Sequence, residues 1–187
     1  MGRFIVVTGL PASGKTTVAR AVAQLMGLPM LDKDDFLESL FEGAIVDSAR
    51  QRRELSHAAD QQFCRRAEQS KGAVLASWWK HPRSPVDSGT PTDWLASLPG
   101  PCVEVHCRCG PVVAAERFIA RKRHPGHLDG RWSRAELLTS FAQQLALGPL
   151  GIGNVIAVDT ESDFECGTLV RDITRAFENS AVDGPGA

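Results

Sequence analysis

The sequence predicts a three-layer α/β fold, a five-stranded parallel sheet with helices on both faces. Short apolar runs alternate with segments of helical periodicity along the chain, which is typical of parallel strands joined by crossover helices. A glycine-rich turn separates the first apolar run from the first helical segment. The length of 187 residues suits a single domain. We therefore expect one domain over residues 1–180 and a disordered tail over residues 181–187.

The first part of the chain is predicted to contain two strands and two helices. The apolar residues 4–7 form the first strand, and residues 14–26 form a helix with apolar side chains on one face. Residues 29–31 follow as a short second strand. Asp34 or Asp35 is the predicted N-cap of the next helix, because a short carboxylate side chain accepts hydrogen bonds from free N–H groups at a helix start.

The rest of the chain is predicted to continue the same alternation. The predicted strands are residues 73–77, 102–107 and 154–158, and the predicted helices are residues 48–70, 93–98, 111–123, 133–147 and 164–179. Pro111 suits the first turn of its helix, and Ser133 with Glu136 has the spacing of a capping box. Residues 81–91 form a polar loop with three prolines.

Charge and cysteine content indicate which partners and compartment to expect. Lysine and arginine (21) nearly balance aspartate and glutamate (22), so no overall positive charge draws the chain to nucleic acid, and nucleic-acid binding is not expected. No apolar run approaches the roughly 20 residues of a membrane span, so no membrane association is expected. The five cysteines include no CxxC pair and are interpreted as buried thiols. These features favour a cytoplasmic protein.

Residues 9–16 read GLPASGKT and match the pattern GxxxxGK[ST] between a predicted strand and a predicted helix. In such a loop, backbone N–H groups and a helix N-terminus surround a phosphate. Lys15 is then expected to reach the β- and γ-phosphates, and Thr16 to offer its hydroxyl to Mg²⁺. The alternative is a glycine-rich turn with a solvated lysine.

This motif predicts ATP and Mg²⁺ as cofactors. The residues expected to hold the nucleotide are Gly9, Pro11, Ala12, Ser13, Gly14, Lys15, Thr16 and Thr17. The base-reading NKxD segment of a GTPase is absent from the sequence.

Three aspartates follow the second predicted strand, in the segment Leu31-Asp32-Lys33-Asp34-Asp35-Phe36. In a parallel sheet this strand end opens on the same edge as the glycine-rich loop. A carboxylate there can orient a hydroxyl and accept its proton, or hold Mg²⁺ through water. Helix capping is the alternative role.

The P-loop and the D-x-D segment resemble those of small P-loop kinases of the nucleoside-monophosphate-kinase-like group. The resemblance is strongest to chloramphenicol-phosphotransferase-like, zeta-toxin-like and polynucleotide-5′-kinase-like members. It implies that Asp34 accepts the proton of the substrate hydroxyl, with Asp32 and Asp35 close by. Ser77 ends the third strand, where many P-loop proteins place an acid. Either Asp32 or Asp34 then shares the metal with Thr16, or Ser77 holds a metal-bound water.

Eight basic residues lie between positions 117 and 134, a density that indicates an anion. By the resemblance, residues 122–132 are the lid that closes over ATP and excludes water. Arg117, Arg121 and Arg123 are the residues expected to contact phosphate. The alternative is a basic helix end stabilised by the helix dipole.

The acceptor side is predicted from position. Trp78 and Trp79, with the loop that contains Asp87, follow a strand at the ligand-binding edge of the sheet. The two rings either stack on the acceptor or close the core, and Asp87 is a candidate ligand of an acceptor hydroxyl. By the resemblance, the turn at Asp159 lies near the adenine, although a plain turn after a strand has the same sequence.

These observations favour a Mg²⁺- and ATP-dependent kinase that phosphorylates a hydroxyl of a small molecule such as an antibiotic, nucleoside or sugar. A polynucleotide 5′-kinase or a nucleotide-sugar kinase is the alternative among enzymes. An ATP-binding switch with a protein partner is the alternative of another class. The aspartates and the basic lid favour the enzyme, because a switch needs no base for an acceptor hydroxyl.

Overall fold

The computed structural model describes residues 2–182 and confirms the predicted fold class. The five strands are β1 (Phe4–Gly9), β2 (Met30–Asp32), β3 (Ala73–Ala76), β4 (Cys102–Arg108) and β5 (Asn154–Asp159). All four strand pairings are parallel, and the order across the sheet is β2-β3-β1-β4-β5. The six helices are α1 (Lys15–Met26), α2 (Lys33–Phe41), α3 (Ala49–Glu68), α4 (Pro111–Ala120), α5 (Arg134–Leu147) and α6 (Cys166–Val182).

The central strand β1 is buried on both faces, as expected for a parallel sheet covered by helices. Ile5 and Val7 pack against α1 and α6 in one core cluster. Phe4 and Val6 point to the opposite face and pack with Phe63 of α3. The alternation along β1 therefore supplies a core to each side of the sheet.

Glu104 of β4 is a fully buried carboxylate inside this sheet. It accepts a hydrogen bond from the Thr8 hydroxyl at 2.7 Å and others from the N–H groups of Leu150, Gly151 and Ile152 at 2.8–3.1 Å. Four donors compensate the charge that burial would otherwise penalise. Glu104 thus attaches the connection between α5 and β5 to the strand that leads into the glycine-rich loop.

Helix boundaries differ from the prediction at three places. The N-cap of α2 is Asp32, not Asp34 or Asp35, because the Asp32 carboxylate accepts the Asp34 N–H. Helix α4 ends at Ala120, so residues 121–123 belong to the following segment. Residues 181 and 182 belong to α6, and the remainder of the predicted tail lies outside the described residues.

The segment predicted to be the lid, residues 122–132, contains two short 3-10 turns, Pro125–His127 and Asp129–Arg131. The predicted capping box at Ser133 is confirmed and begins α5 directly after the lid. Residues 93–97 form a 3-10 turn in place of the short predicted helix. Within residues 2–182, no helix is long and apolar enough to cross a membrane.

Candidate active site

The loop between β1 and α1 has backbone conformations that favour glycine. Gly9 and Gly14 have φ of 133° and 89°, and Ala12 has φ of 60°. A Cβ atom on Gly9 would lie 2.6 Å from the Cys107 carbonyl oxygen. The two glycines of the motif are therefore required by left-handed backbone and, at Gly9, by the close approach of β4. The predicted P-loop is present as a backbone structure.

Two polar side chains of this loop have environments that suit a phosphate. The Lys15 ammonium donates to the Leu10 and Gly9 carbonyl oxygens at 2.7 and 3.2 Å, and burial lowers the pKa of Lys15 to about 8. The Ser13 hydroxyl is buried and has no hydrogen-bond partner among the described residues. Buried polar groups are normally paired, so this hydroxyl and ammonium fit a loop that closes around an anion.

Thr16 and Asp32 lie together, as expected for a pair that shares a metal. The Thr16 hydroxyl donates to the Asp32 carboxylate at 2.8 Å. Asp32 is 7% exposed, and burial together with the neighbouring Asp34 charge raises the pKa of its carboxyl. Hydroxyl and carboxylate oxygens are suitable Mg²⁺ ligands, and a bound cation would offset the cost of the buried charge. The residues present therefore fit Mg²⁺.

The Ser77 hydroxyl at the end of β3 is engaged in the protein interior. It pairs with the Thr90 hydroxyl at 2.6 Å, and Thr90 donates to the Asp60 carboxylate at 2.7 Å. Asp60 also lies 3.5 Å from the ammonium of the buried Lys33. This network joins β3 to α3 and leaves Asp32 as the carboxylate beside Thr16.

Asp34 is half-buried at the start of α2 and faces the lid. Its carboxylate accepts a hydrogen bond from the Arg123 guanidinium at 2.6 Å. Asp35, the next residue, is exposed. The structure thus separates the three aspartates: Asp32 contacts Thr16, Asp34 contacts the lid, and Asp35 lies at the surface.

Arg123 is the centre of a hydrogen-bond network that connects the lid to α2. Besides Asp34, it contacts the His127 ring at 2.8 Å and Asp129 at 3.4 Å. Burial and the Arg123 charge lower the pKa of His127. The neutral ring accepts from Arg123 through Nδ1, so its Nε2–H donates to Glu38 of α2 at 2.8 Å. This tautomer follows from the donor on Arg123.

The other two arginines predicted to contact phosphate have different environments. The Arg121 guanidinium pairs with Asp129 at 3.0 Å, which Arg123 also contacts, and lies 4.0 Å from the centre of the Phe118 ring. Arg117, on α4, donates to the Thr160 carbonyl oxygen at 2.8 Å. Arg117 therefore faces the turn after β5, while Arg121 belongs to the network around Arg123.

The turn after β5 adjoins the P-loop through Thr160. A Cβ atom on Gly14 would lie 3.6 Å from the Thr160 side chain, and the Thr160 hydroxyl donates to the Arg108 carbonyl oxygen. The Asp159 carboxylate is exposed and accepts the Glu161 N–H at 2.9 Å. Asp159 thus stabilises the turn, and Thr160 is the residue of this turn nearest the P-loop helix.

The two tryptophans after β3 have different environments. Trp79 is 6% exposed, donates to the Val7 carbonyl oxygen and packs against Phe63. Of the two roles predicted for this ring, the structure gives it the core role, so it is not a stacking surface. Trp78 is 36% exposed and donates to Gln144 of α5. Asp87 lies at the surface in an ion pair with Lys80.

Most of the predicted site residues border one cavity of about 1800 Å³, which extends from the P-loop past the lid to α3. Ser13, Asp35 and Asp159 do not line it. A polar stripe on α3 forms its far wall, and this stripe was missed in the sequence analysis. Its residues are Arg52, Arg53, Ser56, His57 and Asp60. These polar residues recur every three or four positions, which places them on one face of the helix. This polar periodicity is visible in the sequence and could have predicted the stripe.

The chain matches one protein-family model and part of one curated protein. The AAA domain family model matches residues 4–137. The chain is 38% identical to a shikimate kinase from Chlamydia pneumoniae over 45 residues, which are 24% of this chain and 26% of that protein. The chain thus matches about a quarter of the length of that curated relative.

Solved structures match over nearly the whole chain. A putative kinase from Chloroflexus aurantiacus superposes with a TM-score of 0.77 at 25% identity, covering 94% of this chain and 98% of that one. A shikimate kinase from Bacteroides thetaiotaomicron (TM-score 0.58, 18% identity, 94% and 98% coverage) and a gluconokinase from Sinorhizobium meliloti (0.55, 23%, 98% and 98%) share the fold. The predicted resemblance to P-loop kinases is supported, while the narrower subgroup stays a prediction. Because the family model spans well over half of the sequence, this chain belongs to the AAA domain family.

Proposed function

We propose that the protein is a Mg²⁺- and ATP-dependent kinase that phosphorylates a hydroxyl group of a small molecule. The observation that carries this proposal is the position of Asp34, a carboxylate that lies in the same cavity as the P-loop and contacts the lid arginine Arg123. A candidate base, a phosphate loop and a nearby cationic side chain are parts that phosphoryl transfer needs. The likeness to a putative kinase over nearly the whole chain supports the same conclusion.

The nucleotide would occupy the P-loop end of the cavity. Backbone N–H groups of residues 9–16 and the Lys15 ammonium would bind its phosphates, and Lys15 would exchange the Leu10 carbonyl oxygen for phosphate oxygens. Thr16 and Asp32 would hold Mg²⁺, directly or through water. Mg²⁺ supplies charge neutralisation of the β- and γ-phosphate oxygens when bound.

The acceptor hydroxyl would bind at Asp34. Its oxygen forms a bond to the γ-phosphorus, the bond from that phosphorus to the β–γ bridging oxygen breaks, and ADP leaves. The hydroxyl proton passes to the Asp34 carboxylate. Arg123 contacts only Oδ2 of Asp34, so Oδ1 can receive this proton. If the Oδ2 contact were exchanged, the released guanidinium would be available to the transferred phosphoryl group.

The lid would protect this reaction from water. It is attached to α2 through two contacts, Arg123 with Asp34 and His127 with Glu38. It is also attached to α3, because Arg52 donates to the His127 carbonyl oxygen at 3.0 Å. A lid held on both sides of the acceptor excludes water that would compete as phosphoryl acceptor.

The direct test is a mass-spectrometric search for phosphorylated products after incubation with Mg²⁺-ATP and pooled nucleosides, sugars, hydroxy acids and antibiotics. The wild-type protein and the Asp35→Asn variant should form the same product, and Asp34→Asn should not. Asp35 is the matched control, because it is an adjacent exposed aspartate. ATP binding without any transferred phosphate would contradict the kinase and favour an ATP-dependent switch.

A further inference from the structure

We infer that the phosphate acceptor carries an anionic group, a carboxylate or a phosphate ester, and that Arg52 binds this group. The inference rests on the proposed function, because it assigns the chemistry of the acceptor end of the same cavity. It narrows the acceptor to an anionic hydroxy compound and disfavours neutral sugars, nucleosides and antibiotics.

The first argument is the position of Arg52 on α3. Arg52, Ser56 and Asp60 are spaced by four residues, so they lie on one side of the helix and all border the cavity. Ser56 and Asp60 both contact the Lys33 ammonium, at 2.6 and 3.5 Å. Arg52 begins this row at the end nearer the lid, where it reaches the His127 carbonyl oxygen through Nε.

The second argument is which cations at this end of the cavity form ion pairs with carboxylates. Lys33 pairs with Asp60, Arg121 with Asp129, and Arg123 with Asp34 and Asp129. Arg52 is half-buried, yet no carboxylate among residues 2–182 lies within 4.0 Å of its guanidinium. Its Nε is engaged with the His127 carbonyl oxygen. The terminal N–H groups of its fork have no protein partner in this part of the chain.

An unpaired half-buried guanidinium is unfavourable unless an anion binds it. Burial and the nearby Arg123 charge both disfavour the charged form and lower the pKa of Arg52. A carboxylate or phosphate group can accept two parallel hydrogen bonds from the fork of a guanidinium. Asp34, Asp129 and Asp60 act on Arg52 only from beyond 4.0 Å, so such a ligand would supply the direct ion pair that these carboxylates do not form.

The third argument is the proximity of Arg52 to the candidate base. The charges of Asp34 and Arg123 both act on the Arg52 guanidinium. The candidate base and the proposed anion site are therefore close to each other. A small molecule can therefore present a hydroxyl to Asp34 while its anionic group contacts Arg52. Arg53 on the same stripe is exposed and borders the same cavity. Its positive charge would attract an anion toward Arg52.

Binding of a simple anion tests this site without requiring catalysis. The probes are sodium acetate and inorganic phosphate, added to the full-length protein with Mg²⁺-ADP present, and the readout is the NMR resonance of the Arg52 Nε–H group. We expect a saturable shift with at least one anion and no such shift with sodium chloride at equal ionic strength. The Arg50→Gln variant should respond as wild type, because the Arg50 side chain is 90% exposed and pairs with Glu54. Equal responses to chloride and both probes, or no saturable response, would overturn the assignment.

Turnover of matched compounds tests the acceptor class. D-glucose, D-glucuronate and D-glucose 6-phosphate share a hydroxylated ring and differ in the group at one carbon, and comparable pairs such as adenosine and its monophosphate extend the set. We expect products from anionic members, and the carboxylate and phosphate arms identify which anion is used. Arg52→Gln should raise the acceptor KM by about 10- to 100-fold with a smaller change in kcat, and Arg50→Gln should not.

These outcomes separate the two proposals. Equal turnover of neutral and anionic members, or an acceptor KM unchanged in Arg52→Gln, would overturn the anionic acceptor while leaving the kinase intact. A saturable response of Arg52 to anions with no transfer to any compound would contradict the kinase and leave the anion site in place.

Discussion

At the P-loop end of the cavity the backbone forms the proposed phosphate site, whereas at the proposed acceptor end ion pairs between separate elements form the site. The P-loop depends on left-handed backbone at Gly9 and Gly14 and on the close approach of β4. The acceptor end depends on side chains of α2, α3 and the lid, above all the contact between Asp34 and Arg123.

The difference is between a preorganised site and an exchangeable one. Backbone N–H groups of the loop are held in place by β1 and α1, so in the proposed function they would bind phosphate with little rearrangement. The pair of Asp34 with Arg123 must separate before the Arg123 guanidinium can contact the transferred phosphoryl group. Substitutions at the two ends should therefore affect different steps, nucleotide binding at one end and phosphoryl transfer at the other.

The largest effect is expected at the P-loop, from Lys15→Ala. The ammonium would contact the phosphates through the whole reaction, so its loss should lower kcat/KM for ATP by about 10³-fold. Steady-state kinetics over a range of ATP concentrations measures this. Lys122→Ala, which removes an exposed lysine of the lid, is the control and should stay within about twofold of wild type. Equal effects of the two substitutions would contradict the preorganised site.

Asp34→Asn tests the exchangeable end directly. The amide keeps the size of the side chain but cannot take the proton, so kcat should fall by about 100-fold or more while ATP still binds. Single-turnover transfer and equilibrium binding of ATP separate the two steps. A variant that loses ATP binding as strongly as transfer would show that the two ends do not act separately. Asp35→Asn serves as the neighbouring control and should transfer phosphate normally.

Arg123→Gln should lower kcat by about 10- to 100-fold, because one cation that neutralises the transferred phosphoryl group is removed. The matched change is Arg131→Gln, since Arg131 is an exposed lid residue that contacts the Asp47 carbonyl oxygen. Pre-steady-state transfer measures both. If Arg131→Gln were the more damaging of the two, the contact between Arg123 and Asp34 would have no role in transfer.

The smallest effect is a pH dependence at the P-loop. The pKa of Lys15 is lowered from 10.5 to about 8, so above that pH the free protein must take up a proton to bind ATP with a charged lysine. The Kd for ATP should therefore rise by up to about tenfold per pH unit above pH 8. Isothermal titration at several pH values measures this. Lys15→Arg should remove the dependence, because arginine stays charged.

The stability of the nucleotide-free protein should change in the opposite direction over the same range. The folded pKa lies below the unfolded one, so the unfolded chain binds more protons between pH 8 and 10.5. The Lys15 contribution therefore raises the free energy of unfolding as the pH rises through this window. The difference in Tm between wild type and Lys15→Arg reports it, and a difference that does not vary with pH would contradict the lowered pKa.

The strand and helix order and the phosphate loop were predicted from the sequence, because both depend on local patterns. Errors arose at element boundaries, as at Arg121 and Arg123, which helical periodicity alone assigned to α4. The polar stripe on α3 was not predicted, because the helix was identified only from the spacing of its apolar residues. Trp79 could be assigned either to the core or to the acceptor, and only its hydrogen bond to Val7 and its burial decided this.

The sequence by itself determined the P-loop, the proposed phosphate site, because the whole motif lies within eight consecutive residues. Only the tertiary structure decided which groups share the acceptor end. Arg123 and Asp34 are 89 residues apart in the chain, and Arg52 and His127 are 75 apart. Contacts between such distant residues depend on how helices and lid pack around the sheet, a property of the whole fold that spacing along the chain does not encode.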